Sequence, residues 1–321
     1  MWTRDKAYTD LMRELWGSPD VWNSKKSYTK IAERLRVDEE TVRNRIRHLR
    51  ESGFLLGYRL LPNPSLLGRS FGSIRIEFRD RESKKSAIPR LGEVEGAINI
   101  ASTFDNSVLV TLMAGDIRDP SNLTAGLGIE GEVSWVPPVG LRTTSFRMTS
   151  LDWEIVSLLL RDAETRLDEV AEQLRVSTRT VKRRLNAMME GTAVFTMPVV
   201  DLSKMEGVSY QLRIQTEQGK SSQVEKTVTA RIGNVVFLAA DSQNGSVFGF
   251  NGANIAEGNE ILEWARIQPG VRSATMAIVE QVVQVFSWLE GEVAKRLREQ
   301  QVQADNPSGK ILEQIAPRQP N

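Results

Sequence analysis

The chain repeats itself at a distance too long for a solenoid. Ile31 to Glu51 (IAERLRVDEETVRNRIRHLRE) aligns without a gap on Val170 to Glu190 (VAEQLRVSTRTVKRRLNAMME), 139 positions downstream, with nine of 21 residues identical. Solenoid repeats recur every 20 to 50 or so residues, so this offset describes one multi-part unit duplicated and fused. The flanking pattern agrees: each block is followed by a β-prone strand (Ser73 to Phe78; Tyr210 to Gln215), a helix (Ser83 to Leu91; Ser222 to Ile232), two further apolar strands and a second helix. Any fold for these 321 residues has to accommodate two similar halves.

Within each half a short helix comes first, Tyr8 to Trp16 or Leu151 to Leu160, with Ser150 expected to cap the latter and Asp152 in its first turn. A helix of about two turns follows (Tyr28 to Leu35; Asp168 to Leu174), as the apolar stripes Ile31/Leu35 and Leu167/Val170/Leu174 require. Arg36-Val37-Asp38 and Arg175-Val176-Ser177 then supply a tight turn, and Asp38 or Ser177 caps a third helix ending near Gly53 or Gly191. Phe54 to Leu61 and Ala193 to Val200 read as a wing, which makes each block a winged helix-turn-helix. Pro62 to Phe146 and Asp201 to Val285 read as βαββαβ, with the middle strands Ile98 to Phe104 and Ser107 to Met113 in the first half, and Val235 to Ala240 and Val247 to Phe250 in the second.

The expected fold is therefore α+β, with tandem winged helix-turn-helix domains each followed by a ferredoxin-like βαββαβ domain. The boundaries are 1–61 and 62–148 for the first unit and 149–200 and 201–299 for the second. Ser287 to Gln300 reads as a closing helix within the last of these, and 300–321 as a mobile tail, because it is polar and Pro/Gln/Asn-rich.

Composition closes off several chemistries. There is no cysteine, hence no disulfide scaffold, cysteine-ligated zinc, iron–sulfur cluster or thiol nucleophile. The single histidine, His48, argues against a histidine-rich metal site, and no catalytic residue, metal or cofactor is expected. No apolar run approaches the ~18 residues a spanning helix needs, and the N-terminus lacks a signal-peptide core, so no membrane association and a cytoplasmic location are expected.

With 42 basic and 41 acidic side chains the net charge is +1, which makes the local distribution the informative quantity. Arg175 to Met189 holds five basic residues and no acid, and Arg36 to Arg50 five basic residues against three acids. At about 100° per residue, Val42/Ile46/Leu49 and Val181/Leu185/Met188 each form one buried face. The opposite faces carry Glu40, Arg43, Asn44 and Arg47 in the first helix, and Arg179, Lys182, Arg183 and Asn186 in the second. Arg, Lys and Asn pair with purine edges in a major groove wide enough for a helix, which makes duplex DNA the expected partner. Thr41, Thr180, Arg45 and Arg184 lie on the flanks, where contact with phosphate is expected.

Leu151 to Phe195, with its LD-x-x-I-x-x-L-L opening and S-x-x-T-V-x-x-R-L turn and helix, resembles the winged helix-turn-helix of the Lrp/AsnC feast/famine transcription regulators, and Ile31 to Leu56 repeats it less fully. The resemblance implies a DNA-binding regulator with no enzymatic activity, whose βαββαβ sensor dimerises and in many members binds an amino acid. Here the two sensors are expected to pair within one chain, and whole chains could pair again as a homodimer. This sequence departs from the family in being two fused units, in the extra residues Gly17 to Ser27, and at the middle hairpin. There the family's Gly-x-Tyr-Asp is replaced by Thr103-Phe104-Asp105 in the first unit and by Asp241 to Gly245 in the second. A small effector, if sensed, is accordingly expected in the first unit, at Thr103, Asp105 and Asn106. Two alternatives stand beside this reading. One is an enzyme resembling the siroheme decarboxylases, which use paired Lrp-like units and depend on histidine and other polar groups in the sensor region. The other is an architectural module that holds protein partners.

Overall fold

The computed structural model describes residues 6–16, 28–115, 124, 127–136, 143–233, 235–240 and 244–305. The first half runs α1 (Lys6–Trp16), α2 (Tyr28–Leu35), α3 (Glu39–Glu51), β1 (Leu55–Pro62), β2 (Ser70–Glu77), α4 (Arg81–Leu91), β3 (Ala97–Thr103), β4 (Ser107–Ala114) and β5 (Glu132–Val136). The second half runs α5 (Ser150–Arg161), α6 (Leu167–Gln173), α7 (Thr178–Glu190), β6 (Val194–Val200), β7 (Val208–Thr216), α8 (Ser221–Ile232), β8 (Val235–Ala240), β9 (Gly245–Gly252), α9 (Ile255–Arg266), β10 (Val271–Gln284) and α10 (Ser287–Asp305).

Local chemistry explains the helix boundaries. Asp38 and Ser177 cap α3 and α7, accepting from the backbone N–H of Thr41 at 2.6 Å and of Thr180 at 3.1 Å. The preceding turn places Arg36 (φ 55°) and Arg175 (φ 53°) in the left-handed region, the same strained residue type at the same point of both units. Helix α5 begins one residue earlier than expected, because its cap is Thr149. The Thr149 hydroxyl accepts from Asp152 N–H while the Asp152 carboxylate accepts from Thr149 N–H, and Ser150 becomes the first helical residue.

The expected wings are absent. Strands β1 and β6 pair with each other in an antiparallel ribbon running from Leu55 opposite Val200 to Pro62 opposite Val194. Matching bonds close its ends, Asn63 N–H to Ala193 C=O at 2.7 Å and Asp201 N–H to Phe54 C=O at 2.9 Å. A strand that finds a partner with the same sequence pattern in the other half has no need to fold back as a hairpin. The buried Asn63 amide also donates to Thr192 C=O at 2.8 Å, fastening the first half to the second.

The other eight strands form one sheet in the order β5-β2-β4-β3-β10-β7-β9-β8. Each half contributes four strands with its own first and third strands at the centre, and β10 joins them: Val271 to Ile278 pair with β7 and Val279 to Gln284 with β3. The apolar strand faces do not cover each other across the two halves. Ile74 and Ile76 pack with Ala87 and Leu91 of α4, and Leu212 and Ile214 with Val224 and Val228 of α8 and Ile261 and Ala265 of α9. Each sheet half thus covers its apolar face with its own helices, leaving the polar faces to meet.

A third core runs through both helix triads, the β1/β6 ribbon and α10. Val42, Ile46 and Leu49 share it with Val181, Leu185 and Met188 and with Leu289 and Val293. Helix α10 continues to Asp305, so residues 300–305 of the expected tail are helical. Residues 306–321, Gly17 to Ser27, most of the hairpin expected at Asp241 and nearly all of the stretch in which the first half's second βαββαβ helix was expected lie outside the described residues. No helix among the described residues is long and apolar enough to cross a membrane. Truncating Leu289 to Ala removes a fully buried side chain from the shared core and is expected to lower stability by about 2–5 kcal/mol in urea titration.

Candidate nucleic-acid interface and inter-sheet cleft

Helix α7 turns Val181, Leu185 and Met188 into the shared core, which leaves Arg179, Lys182, Arg183 and Asn186 exposed along the opposite face. Together with Ala187 and Glu190 these four line one shallow groove. Among the described residues no carboxylate forms an ion pair with the three cations, so the face presents uncompensated charge. Helix α3 is built alike and compensated differently. Arg43 pairs with Glu39 at 2.7 Å and Glu40 at 3.8 Å, and lies 5.0 Å above the Tyr28 ring. Arg47 meets Glu40 at 3.7 Å and is hydrogen-bonded to Asn44. Exposed pairs of this kind hold little energy, but the carboxylates remain and would repel a phosphate chain.

The flanking residues depart from the phosphate role expected of them. Arg184 grips the Asp152 carboxylate through Nε at 2.7 Å and through Nη2, with the Asp152 side chain fully buried. In the first unit, Arg45 forms no such ion pair among the described residues. Its Nη1 donates to Ala7 C=O at 3.4 Å, and its guanidinium lies over the Tyr8 ring. Thr41 and Thr180 bond back to the caps Asp38 and Ser177. His48 is exposed on α3 with its ring against Tyr8.

The expected effector residues divide. The Thr103 hydroxyl is buried and donates into the hairpin, to Asp105 and Ser107 C=O, while the Asn106 amide reaches toward Arg79 C=O at 3.5 Å. Asp105 alone borders a cavity, of about 260 Å³, in company with Arg75, Glu77, Arg213, Thr275, Met276 and Ala277. Burial pushes the Asp105 pKa up, but hydrogen bonds from Ser107 and Thr103 and the nearby Arg75 outweigh it and hold the group below the ordinary aspartate value. Lys84, only 2% exposed, ties this hairpin to the second half: its ammonium donates to Thr103 C=O, to Asp105 C=O at 2.8 Å and to Glu280 of β10 at 3.4 Å.

An effector site confined to the first unit is therefore not what the cleft provides, since Arg213 and three β10 residues come from the second. Strands β2 and β7 stand four places apart in the sheet, which would separate them by roughly 19 Å if it were flat. The sheet instead curls about β10, so that Arg75 and Arg213 face one cavity. Burial and then the Arg75 charge lower the Arg213 pKa to about 10, against the opposing pull of Asp105 and Glu77. Sequence reasoning missed both arginines, although a signal existed. Ile74-Arg75-Ile76 and Leu212-Arg213-Ile214 occupy equivalent places in the two halves, and a charge repeated on an apolar strand marks a paired polar face.

No metal-binding group of three or more His, Asp or Glu side chains occurs among the described residues. Two outcomes follow from the ion pairs. Arg184→Ala strands a fully buried carboxylate and is expected to cost about 3–5 kcal/mol in denaturant titration, well beyond Arg45→Ala. Arg213→Met removes a partly desolvated, unpaired cation and is expected to raise the stability of the unliganded protein by about 1–3 kcal/mol.

Comparison with known proteins follows this geometry. Residues 148–189 match the AsnC-type helix-turn-helix domain. No curated protein matches the chain. Among solved structures, the siroheme decarboxylase NirDL in complex with an iron-uroporphyrin III analogue superposes with a TM-score of 0.56 at 15% identity, covering 92% of this chain and 98% of that one. NirDL alone gives 0.55 at 14% identity, covering 94% and 100%. LrpC of B. subtilis gives 0.35 at 14% identity, over 42% of this chain and 96% of its own. The expectation that the chain is not an enzyme is overturned as an inference from fold, because the structure it matches nearly end to end is an enzyme. What the comparisons establish is an AsnC-type helix-turn-helix domain set in an α/β fold shared with a siroheme decarboxylase.

Proposed function

We propose that the chain is a DNA-binding transcription regulator of Lrp/AsnC type, made of two fused units that each join a helix-turn-helix to a ferredoxin-like sensor, with a small effector acting at the cleft between the sensors. The observation that carries this reading is the bare cationic face of α7, inside the segment that matches the AsnC-type domain. Four exposed side chains able to reach base edges and phosphates stand opposite a core-facing triad, as a helix in a major groove requires. Glu40, Arg43, Asn44 and Arg47 of α3 differ from their α7 counterparts at every position and are partly self-neutralised. We therefore assign the stronger contact to α7 and expect two unlike half-sites.

A second reading has one observation in its favour, the likeness to NirDL along nearly the whole chain: an enzyme acting on a tetrapyrrole. Against it, the lone histidine lies on α3 against Tyr8, which leaves the cleft without an imidazole. A tetrapyrrole absorbance band in the purified protein would favour the enzyme. For the regulator, replacing Arg179, Lys182 and Arg183 together with alanine is expected to lower affinity for duplex DNA and to flatten the salt dependence of log K by as much as about 3 units of slope. Affinity and slope both unchanged in the triple variant would refute it.

A further inference from the structure

We propose that the cleft bordered by β2, β7 and β10 binds a small monocarboxylate anion, held by Arg75 and Arg213 with its short apolar part against Ala277. This names the chemistry of the effector in the reading above, and it rests on that reading only for its regulatory meaning.

The cleft is incomplete as it stands. Of the five buried side-chain polar atoms that lack a partner among the described residues, two, Arg75 Nε and Arg213 Nε, belong to side chains that line it. Two more, Asn99 Oδ1 and Gln211 Oε1, lie on the same polar side of the sheet but outside the cavity, Asn99 in line with Thr111 and Ser73, and Gln211 next but one to Arg213 on β7. Buried polar groups are nearly always satisfied, so orphans gathered on one surface mark a place where something binds. The two orphan donors belong to guanidinium groups, whose Nε–H and Nη–H point in parallel and match the two oxygens of a carboxylate.

Charge is graded through the cleft. Arg75 is 23% exposed, while Glu77 and Asp105 at the rim are 60% and 46% exposed. Both rim carboxylates stay 3.6 Å from Arg75, beyond hydrogen-bond reach. Asp105 Oδ1 already accepts from the Thr103 hydroxyl and from the Ser107 N–H and hydroxyl. Arg75 is thus ion-paired with two carboxylates without being hydrogen-bonded to either, Arg213 forms no ion pair among the described residues, and the acidic rim disfavours a multiply charged phosphate relative to a single carboxylate. A cavity of about 260 Å³ lies just below the usual size of a drug-like site and suits a metabolite of a few carbons.

The test uses the full chain without DNA, titrated with acetate, propionate, butyrate, malonate or inorganic phosphate by calorimetry and thermal shift, at ionic strength held constant with chloride. A saturable rise in Tm is expected with a short monocarboxylate. Arg213→Gln should abolish it and Arg213→Lys, which keeps the charge but loses the fork, weaken it by about tenfold. Glu77→Gln should tighten binding. If Arg213→Gln does not fold, the opposite responses of Arg213→Lys and Glu77→Gln decide. No saturable response to any carboxylate, or one equal in the Arg213 and wild-type proteins, overturns the site, and a preference for phosphate or malonate overturns the ligand class. The alanine triple variant of α7 should bind the carboxylate normally, so failure of the DNA reading and failure of this one are separable.

Discussion

Strand β10 pairs with strands of both halves of the chain, and the rest of the molecule is arranged around that fact. Its first eight residues complete the second half's four strands and its last six lie against β3 of the first. Neither half can move as an independent body without breaking backbone hydrogen bonds. The register shift between Val279 and Gln281 falls at the hand-over, where a bulge bends a strand and strengthens its twist. Arg75 of β2 and Arg213 of β7 line one cavity on either side of that bend. Glu280 sits at the same point and reaches back to Lys84 and Arg81, so the hairpin that carries Asp105 is positioned by the second half's strand.

The described helices of the two halves match in shape and differ in charge. The turns at Arg36 and Arg175, the caps Asp38 and Ser177, and the buried triads of α3 and α7 are the same device built twice. What differs is what the exposed faces do with their cations. Helix α3 carries acids at Glu39 and Glu40 in its first turn, favourable for the helix dipole and unfavourable for phosphate, whereas α7 has no acid there. The inward arginines diverged too, Arg184 holding a buried carboxylate where Arg45 makes do with a backbone carbonyl.

Much of this was legible in the residues. Period and capping placed nearly every helix, because a buried triad at i, i+4, i+7 and a Ser or Asp before it are local signals. The first three strands of each half's sheet were found within a few residues for the same reason, while the fourth, including the long β10, was not placed. The β1/β6 ribbon was not, since pairing between segments almost 140 positions apart leaves no local trace, and a β-prone stretch after a helix-turn-helix reads equally well as a hairpin wing. The cleft was half found: Asp105 announced itself as a hairpin residue, while Arg75 and Arg213 were hidden by the ordinary reading of a charge on an alternating strand as solvated. Curling the sheet about β10 is what makes that reading fail.

The ribbon of β1 and β6, with its matched end bonds at Asn63 and Asp201, has the form of a contact between two copies of one molecule, here covalently joined. For separate copies such a pairing is bimolecular, and it weakens on dilution by mass action. Joined in one polypeptide, it becomes unimolecular and holds at any abundance. A cell with a handful of these chains would have them all assembled, and each half is free to change its sequence without having to stay complementary to itself.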